Sequence, residues 1–119
     1  MSYLEKQAEF VRRLHERTGQ GDIIWRQTET DGVFQADFPE HLVQIFQKWI
    51  DEDDDTVDTY ISIFTREGRL IGSFNDRELS EAESVGSDAF ILMGELFEIA
   101  MRMAMDLEQA LDNLIDFLG

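Results

Sequence analysis

The last third of the chain repeats its apolar side chains at steps of three and four, and this repeat constrains the fold more than any other feature of the sequence. Such spacing places side chains along one face of an α-helix. It predicts a helix over about residues 87–118 that organises the rest of the fold. The side chains that we expect to be buried along this helix are Met93, Leu96, Phe97, Ala100, Met103, Ala104, Leu107, Ala110, Leu111, Leu114 and Leu118.

The upstream half of this helix has a wider apolar arc than the downstream half, so we expect it to be covered on two sides. Asp106 and Gln109 have capping-box spacing, and a break near residue 106 is therefore an alternative to one continuous helix. Methionine packs adaptably and is common at binding surfaces. The sequence predicts a second contact surface on the upstream half, covered by the N-terminal helix or a second copy. Its candidate interface residues are Met93, Phe97, Met101 and Met105.

The first residues of the chain predict another helix. Ser2 and Glu5 have capping-box spacing, and the apolar residues after them recur on a helical period over residues 3–17. Gly19 and Gly21 end the pattern. The polar side of this helix holds the one basic concentration in the sequence. It faces either solvent, as most charged helix faces do, or the acidic C-terminal helix of the same molecule or of a partner. Its members are Arg12, Arg13 and Arg17.

Between residues 22 and 76 the apolar period changes to two, which predicts β-strands. The expected strands cover about residues 23–29, 33–38, 42–50, 58–65 and 69–74, joined by short turns such as Asp31-Gly32. Short connections favour an antiparallel meander, because parallel pairing needs long crossovers. Residues 75–88 form a short helix or an ordered loop. The predicted fold is one α+β domain over residues 1–119, with both helices on one face of the sheet.

The formal net charge of −16 limits the partners that the chain can bind. Residues 76–119 contain eleven acids and two bases, whereas residues 1–18 have a net charge of +1. Direct binding of nucleic acid or of an anionic membrane requires a basic face, so neither is expected. No apolar run is long enough to span a membrane, and no signal peptide is recognisable. The absence of cysteine fits a cytoplasmic protein.

The run of acids at residues 51–55 is the one site-like motif. Asp51, Asp53 and Asp55 match the first three ligand positions of a calcium-binding EF-hand loop, but Thr56 stands where glycine is needed and Ser62 where glutamate is needed. We interpret the run as a solvated hairpin loop, with weak divalent-cation binding as the alternative. His15 and His41 have no metal-ligand partner nearby in the sequence. No nucleophile, phosphate-binding or cofactor motif is present, so we expect no cofactor and no enzymatic activity.

The order of helix, meander and helix resembles that of dimeric secretion chaperones and of small bacterial immunity or accessory proteins. The secretion-chaperone pattern has a helix between its third and fourth strands, for which residues 51–56 leave no room, so no residue roles are transferred. The leading hypothesis is a non-enzymatic protein-binding module with a basic partner or a homodimer through the C-terminal helix. The alternatives are an acidic inhibitor that imitates nucleic acid, and a small-molecule or enzymatic site between sheet and helix.

Overall fold

The computed structural model describes residues 1–51 and 56–119, without the side chains of residues 50 and 51. It confirms the predicted α+β fold. The elements in chain order are α1 (Tyr3–Gly19), β1 (Trp25–Gln27), β2 (Phe34–Asp37), β3 (His41–Asp51), β4 (Thr56–Thr65), β5 (Leu70–Asn75), α2 (Asp76–Leu79) and α3 (Asp88–Leu118). No helix in this part of the chain has the length and hydropathy needed to cross a membrane.

The five strands form one antiparallel sheet in the predicted meander order, β1-β2-β3-β4-β5. Gly32 and Gly68, in the turns of the first and last hairpins, have φ angles of +80° and +92°, which glycine adopts without strain. Strand β1 is shorter than the predicted range 23–29. Ile23 lies outside the pairing because β2 ends at Asp37 and the chain then turns into β3.

Helix α1 begins where its capping residues predict. The Ser2 hydroxyl accepts a hydrogen bond from the Glu5 backbone N–H at 3.1 Å, which satisfies a donor that the first helical turn leaves unpaired. At the other end, the Asp22 N–H donates to the Arg17 carbonyl at 3.0 Å. Gly21 has a φ angle of +81°, the left-handed conformation that commonly ends helices.

The core lies between the helices and one face of the sheet. Side chains at alternate positions of the strands supply its sheet side, and they are Trp25, Phe34, Ala36, Val43, Ile45, Ile61 and Phe74. Helix α3 packs against β1 and crosses this face, where the rings of Phe34 and Phe97 are 5.6 Å apart. Helix α1 packs beside α3, and its Thr18 hydroxyl accepts a hydrogen bond from Trp25 Nε1 at 3.1 Å. The same side of the sheet therefore carries both helices, as predicted.

The segment between β5 and α3 combines the two predicted alternatives, a short helix and an ordered loop. Asn75 Oδ1 accepts a hydrogen bond from the Glu78 N–H at 2.8 Å and caps α2. Leu79 is buried, and turns over residues 80–87 then lead to α3. Helix α2 packs against α3.

The structure decides one alternative for α3 and corrects one expectation. The helix runs from Asp88 to Leu118 without a break at Asp106, and the Gln109 amide donates to Asn113 Oδ1 at 3.2 Å instead of reaching back to cap a new helix. The apolar stripe is also not buried along its whole length. Ala104 is its last fully buried member, and every residue from 105 to 119 is exposed.

Candidate interaction surfaces

Helix α3 has two parts with different surroundings. Residues 88–104, the anchored segment, pack against the sheet, α1 and α2, and they bury Ala89, Met93, Leu96, Ala100 and Ala104. Residues 105–118, the arm, extend beyond the rest of the fold for about 20 Å at the helical rise of about 1.5 Å per residue. Met103 marks the point of departure, where its sulfur accepts a hydrogen bond from the Trp25 N–H at 3.4 Å.

The arm continues the apolar repeat of the anchored segment, but no described residue covers it. Apart from Met105, its large apolar side chains share one face and are between 39% and 86% exposed, and they are Leu107, Leu111, Leu114, Ile115, Phe117 and Leu118. On an ideal helix they occupy an arc of about 160°. They present an apolar surface of several hundred Å², comparable to the largest patch on a typical soluble monomer, roughly 300–600 Å². A surface of this size is characteristic of a site that binds another molecule.

The charged residues of the arm lie outside this apolar arc, with Asp112 and Asp116 on the far side of the helix and Asp106 at one edge of the arc. The arm contains four acids, Asp106, Glu108, Asp112 and Asp116, and neither lysine nor arginine. Glu108 borders the other edge of the apolar arc, and Asp112 follows it one helical turn later. The arm is therefore an amphipathic helix whose charged residues are all acidic.

The four candidate interface residues do not share one surface. Met93 is fully buried in the core, Phe97 and Met101 are partly buried, and Met105 is 54% exposed. They are spaced four residues apart throughout, and each such step rotates the side chain by about 40° around the helix. The series consequently turns from the core to the polar side of the arm. The uncovered apolar surface lies downstream of the predicted one.

A groove separates α1 from the neighbouring end of β1 and β2. This α1–β1 groove has a volume of about 910 Å³. Its apolar lining consists of Phe10, Leu14, Ile23, Ile24 and Phe38. Residues 23 and 24 precede the paired part of β1, and Phe38 follows β2, so the groove opens beside the edge strand of the sheet. The sequence left a site between sheet and helix as an alternative, but alternation within short strands does not indicate which residues would line it.

Four cations line the α1–β1 groove, namely Lys6, Arg13, Arg17 and Arg26. Three of them form ion pairs within the groove: Arg13 with Glu9 at 2.8 Å, Arg17 with Asp22 at 2.9 Å and Arg26 with Asp37 at 3.4 Å. Hydrogen bonds from Arg12 and then Arg13 lower the pKa of Glu9. A hydrogen bond from Gln35, followed by the Arg26 guanidinium, lowers the pKa of Asp37.

The arginines of α1 do not form the predicted ion pairs with the acids of α3 within the described residues. Arg12 and Arg13 pair with Glu9 on their own helix, and Arg17 pairs with Asp22. His15 instead connects the two helices, with its Nε2 atom 3.0 Å from Glu95 Oε2. Arg13 and Arg17 have side chains 76% and 61% exposed, so both guanidinium groups remain accessible to a partner.

The outer face of the sheet carries hydrogen-bonded polar side chains. Gln44 donates to Gln35 at 2.9 Å, Gln35 donates to Asp37 at 2.8 Å, and Ser62 donates to Ser73 at 3.1 Å. Next to this polar network, the rings of Phe46 and Tyr60 stack at 5.4 Å, with the Lys48 ammonium 5.1 Å from the Tyr60 ring. These contacts pair the polar side chains of this face with one another.

Two acids are buried next to each other where β4 meets α2. Asp58 and Asp76 are 5% and 3% exposed. Asp76 Oδ2 accepts a hydrogen bond from the Thr59 N–H at 3.3 Å, while its Oδ1 atom has no partner among the described residues. Burial raises the pKa of Asp76, and the neighbouring Asp58 raises it further. Arg77 partly compensates this charge through its 3.6 Å contact with Asp58.

The alternative of cation binding by Asp51, Asp53 and Asp55 lies outside the described side chains. Within the residues that are described, no group of three or more histidines and acids is arranged to hold a metal ion. The chain matches no protein-family model, no curated protein and no solved structure. The candidate sites therefore depend on the geometry of this chain alone.

Proposed function

We propose that the protein is a non-enzymatic interaction module that binds another protein through the arm. The observation that carries this proposal is the exposed apolar stripe of residues 107–118 on a helix held by the fold at its other end. Burying a leucine or phenylalanine side chain contributes about 1.5–3 kcal/mol. A partner that covers several of these side chains would thus gain substantial binding free energy.

The anchored segment gives the arm a conformation suited to binding. An isolated helix of 14 residues is marginal in water, because starting a helix is costly. The arm only extends a helix that already exists over residues 88–104, so a partner need not bear the free-energy cost of starting it. Presentation of a preformed amphipathic helix to an apolar groove is a common mode of protein recognition.

The charge of the arm restricts the chemistry of the partner. Its four acids favour a partner whose apolar groove has a basic rim, since complementary charge accelerates association and disfavours wrong partners. The lack of cysteine makes a reducing cytoplasm the compartment that we propose for this interaction.

A photo-crosslinking amino acid at position 114 tests this proposal in the cell that makes the protein. Leu114 is 55% exposed on the arm, and a matched control places the same amino acid at Ile71, which is 56% exposed on β5. We expect a defined protein adduct from position 114 that disappears when Leu107 and Leu111 are replaced by serine. Adducts from position 71 alone, or adducts that persist after these replacements, would contradict binding through the arm.

A further inference from the structure

We infer that the arm binds the α1–β1 groove of a second copy of this chain, so that two molecules exchange arms in a symmetric dimer. This inference rests on the proposed function of the arm and names its partner. A dimer of this kind uses the same two surfaces twice, once in each direction, and forms a closed assembly.

The charges of the arm and of the α1–β1 groove are complementary. The groove is lined by four of the ten Lys and Arg residues of the chain, in a molecule whose net charge is −16. The arm contributes four acids and no base. The acids within the groove already pair with three of its cations, but exposed ion pairs of this kind contribute little and can exchange partners. Lys6 has no ion-pair partner among the described residues.

The spacing of the charges also matches. Arg13 and Arg17 lie one turn apart on α1, and Glu108 and Asp112 lie one turn apart on the arm. Residues four apart on a helix are separated by about 6 Å along its axis. Two helices packed side by side can thus form both pairs together, while the apolar arc next to Glu108 meets Phe10, Leu14 and Phe38 in the groove.

The arm and the α1–β1 groove lie near the same strand. The arm leaves the fold at Met103, in contact with Trp25 of β1. The groove opens at Ile23 and Ile24, immediately before the same strand. None of the groove lining comes from the arm of the same chain, because α3 is continuous and does not fold back at residue 106. A two-fold axis near the β1 edge would bring each arm to the groove of the other copy.

Pairing of the two arms with each other is the competing arrangement. It would use the same three-and-four spacing, which is that of a coiled coil. It would also place Asp106 and Glu108 of both arms, which border the apolar arc, along the seam without a base, and like charges in such proximity disfavour association. The groove offers the arm apolar contacts of the same kind, with four cations and three acids in its lining instead of acids alone.

A charge-exchange experiment on the full chain tests the inference. Variant one carries Arg13→Glu with Arg17→Glu in the groove, and variant two carries Glu108→Arg with Asp112→Arg on the arm. In a mixture, the unchanged arm of variant one meets the unchanged groove of variant two, and the two altered surfaces also match. Lys48→Glu with Arg69→Glu is the control, since it makes the same charge change as variant one outside the groove and the arm.

Sedimentation equilibrium gives the masses to be compared. We expect the wild type and the control to approach twice the chain mass of 13.8 kDa. We expect the dissociation constant of each variant alone to be roughly tenfold or more above that of the wild type. We expect the equimolar mixture to recover the dimer. Circular dichroism verifies folding, and if a double variant is unfolded, Arg13→Glu and Glu108→Arg alone replace the two pairs.

Two results would overturn the inference. A wild type that stays monomeric at all concentrations excludes the exchange of arms. If variant one dimerises as strongly as the wild type, the groove is not involved. This result is expected if the arms pair with each other. If position 114 then still crosslinks to a different protein, the proposed function survives and only the identity of the partner is wrong.

Discussion

The anchored segment and the arm belong to one helix and share one apolar repeat, yet their environments are opposite. Leu96 is fully buried against its own chain, whereas Leu114 is 55% exposed. The period of the side chains fixes which face of a helix is apolar. It does not specify whether the same molecule or another one covers that face. The boundary at Ala104 is therefore a property of the tertiary structure, set by where the sheet and α1 end.

The largest expected difference in stability comes from placing the same charge in the anchored segment and in the arm. Leu96→Asp puts an unpaired charge into the core and should lower the free energy of unfolding by about 3–5 kcal/mol. Leu114→Asp should change it by no more than about 0.5 kcal/mol in dilute solution, where the arm is uncovered. Urea unfolding at low protein concentration measures both values. Equal losses would abolish the distinction between the two halves.

The next effect concerns the place where α3 leaves the fold. Thr18→Val removes the acceptor of the buried Trp25 indole N–H and should cost about 1–3 kcal/mol. Thr18→Ser keeps the hydroxyl and is the matched control. Thermal unfolding of the two variants provides the comparison. A valine variant as stable as the serine variant would mean that this hydrogen bond does not hold α1 against the sheet below α3.

The smallest expected change in stability comes from a substitution in α2, which precedes the anchored segment. The pKa of Asp76 is raised in the folded chain, so the folded state binds this proton more tightly than the unfolded state. Stability should then fall as the pH rises from the unfolded pKa of about 3.9 through the folded value. Asp76→Asn removes this dependence and should stabilise the protein at pH 7 by on the order of 1 kcal/mol. A variant less stable than the wild type at pH 7 would contradict this assignment.

Local sequence patterns predicted most of the fold because they report local geometry. The capping pair Ser2 and Glu5, the turn glycines Gly32 and Gly68 and the strand alternation all act within a few residues, and the structure confirms the elements that they predict. Asp106 and Gln109 show the limit of this approach. Their spacing fits a cap, but nothing interrupts the helix there, and the two side chains remain in solvent.

The candidate surfaces were less predictable because they depend on distant parts of the chain. The groove combines residues of α1 with residues 23, 24 and 38, and only the tertiary structure brings these together. Asp58 and Asp76 become neighbours through the packing of α2 against β4. The predicted interface residues Met93, Phe97, Met101 and Met105 range from fully buried to 54% exposed, because composition could not locate the point where burial ends.

Hydrogen exchange along α3 at two protein concentrations tests the central claim most directly. Amide protection at residues 88–104 should be high in both samples, because these residues belong to the core of a single chain. Protection at residues 105–118 should be low in the dilute sample and rise in the concentrated one, as a second copy covers the arm. Protection of the arm that is as high as that of residues 88–104 in both samples would contradict the division of this helix between folding and binding, and protection absent from both would contradict the exchange of arms between two copies.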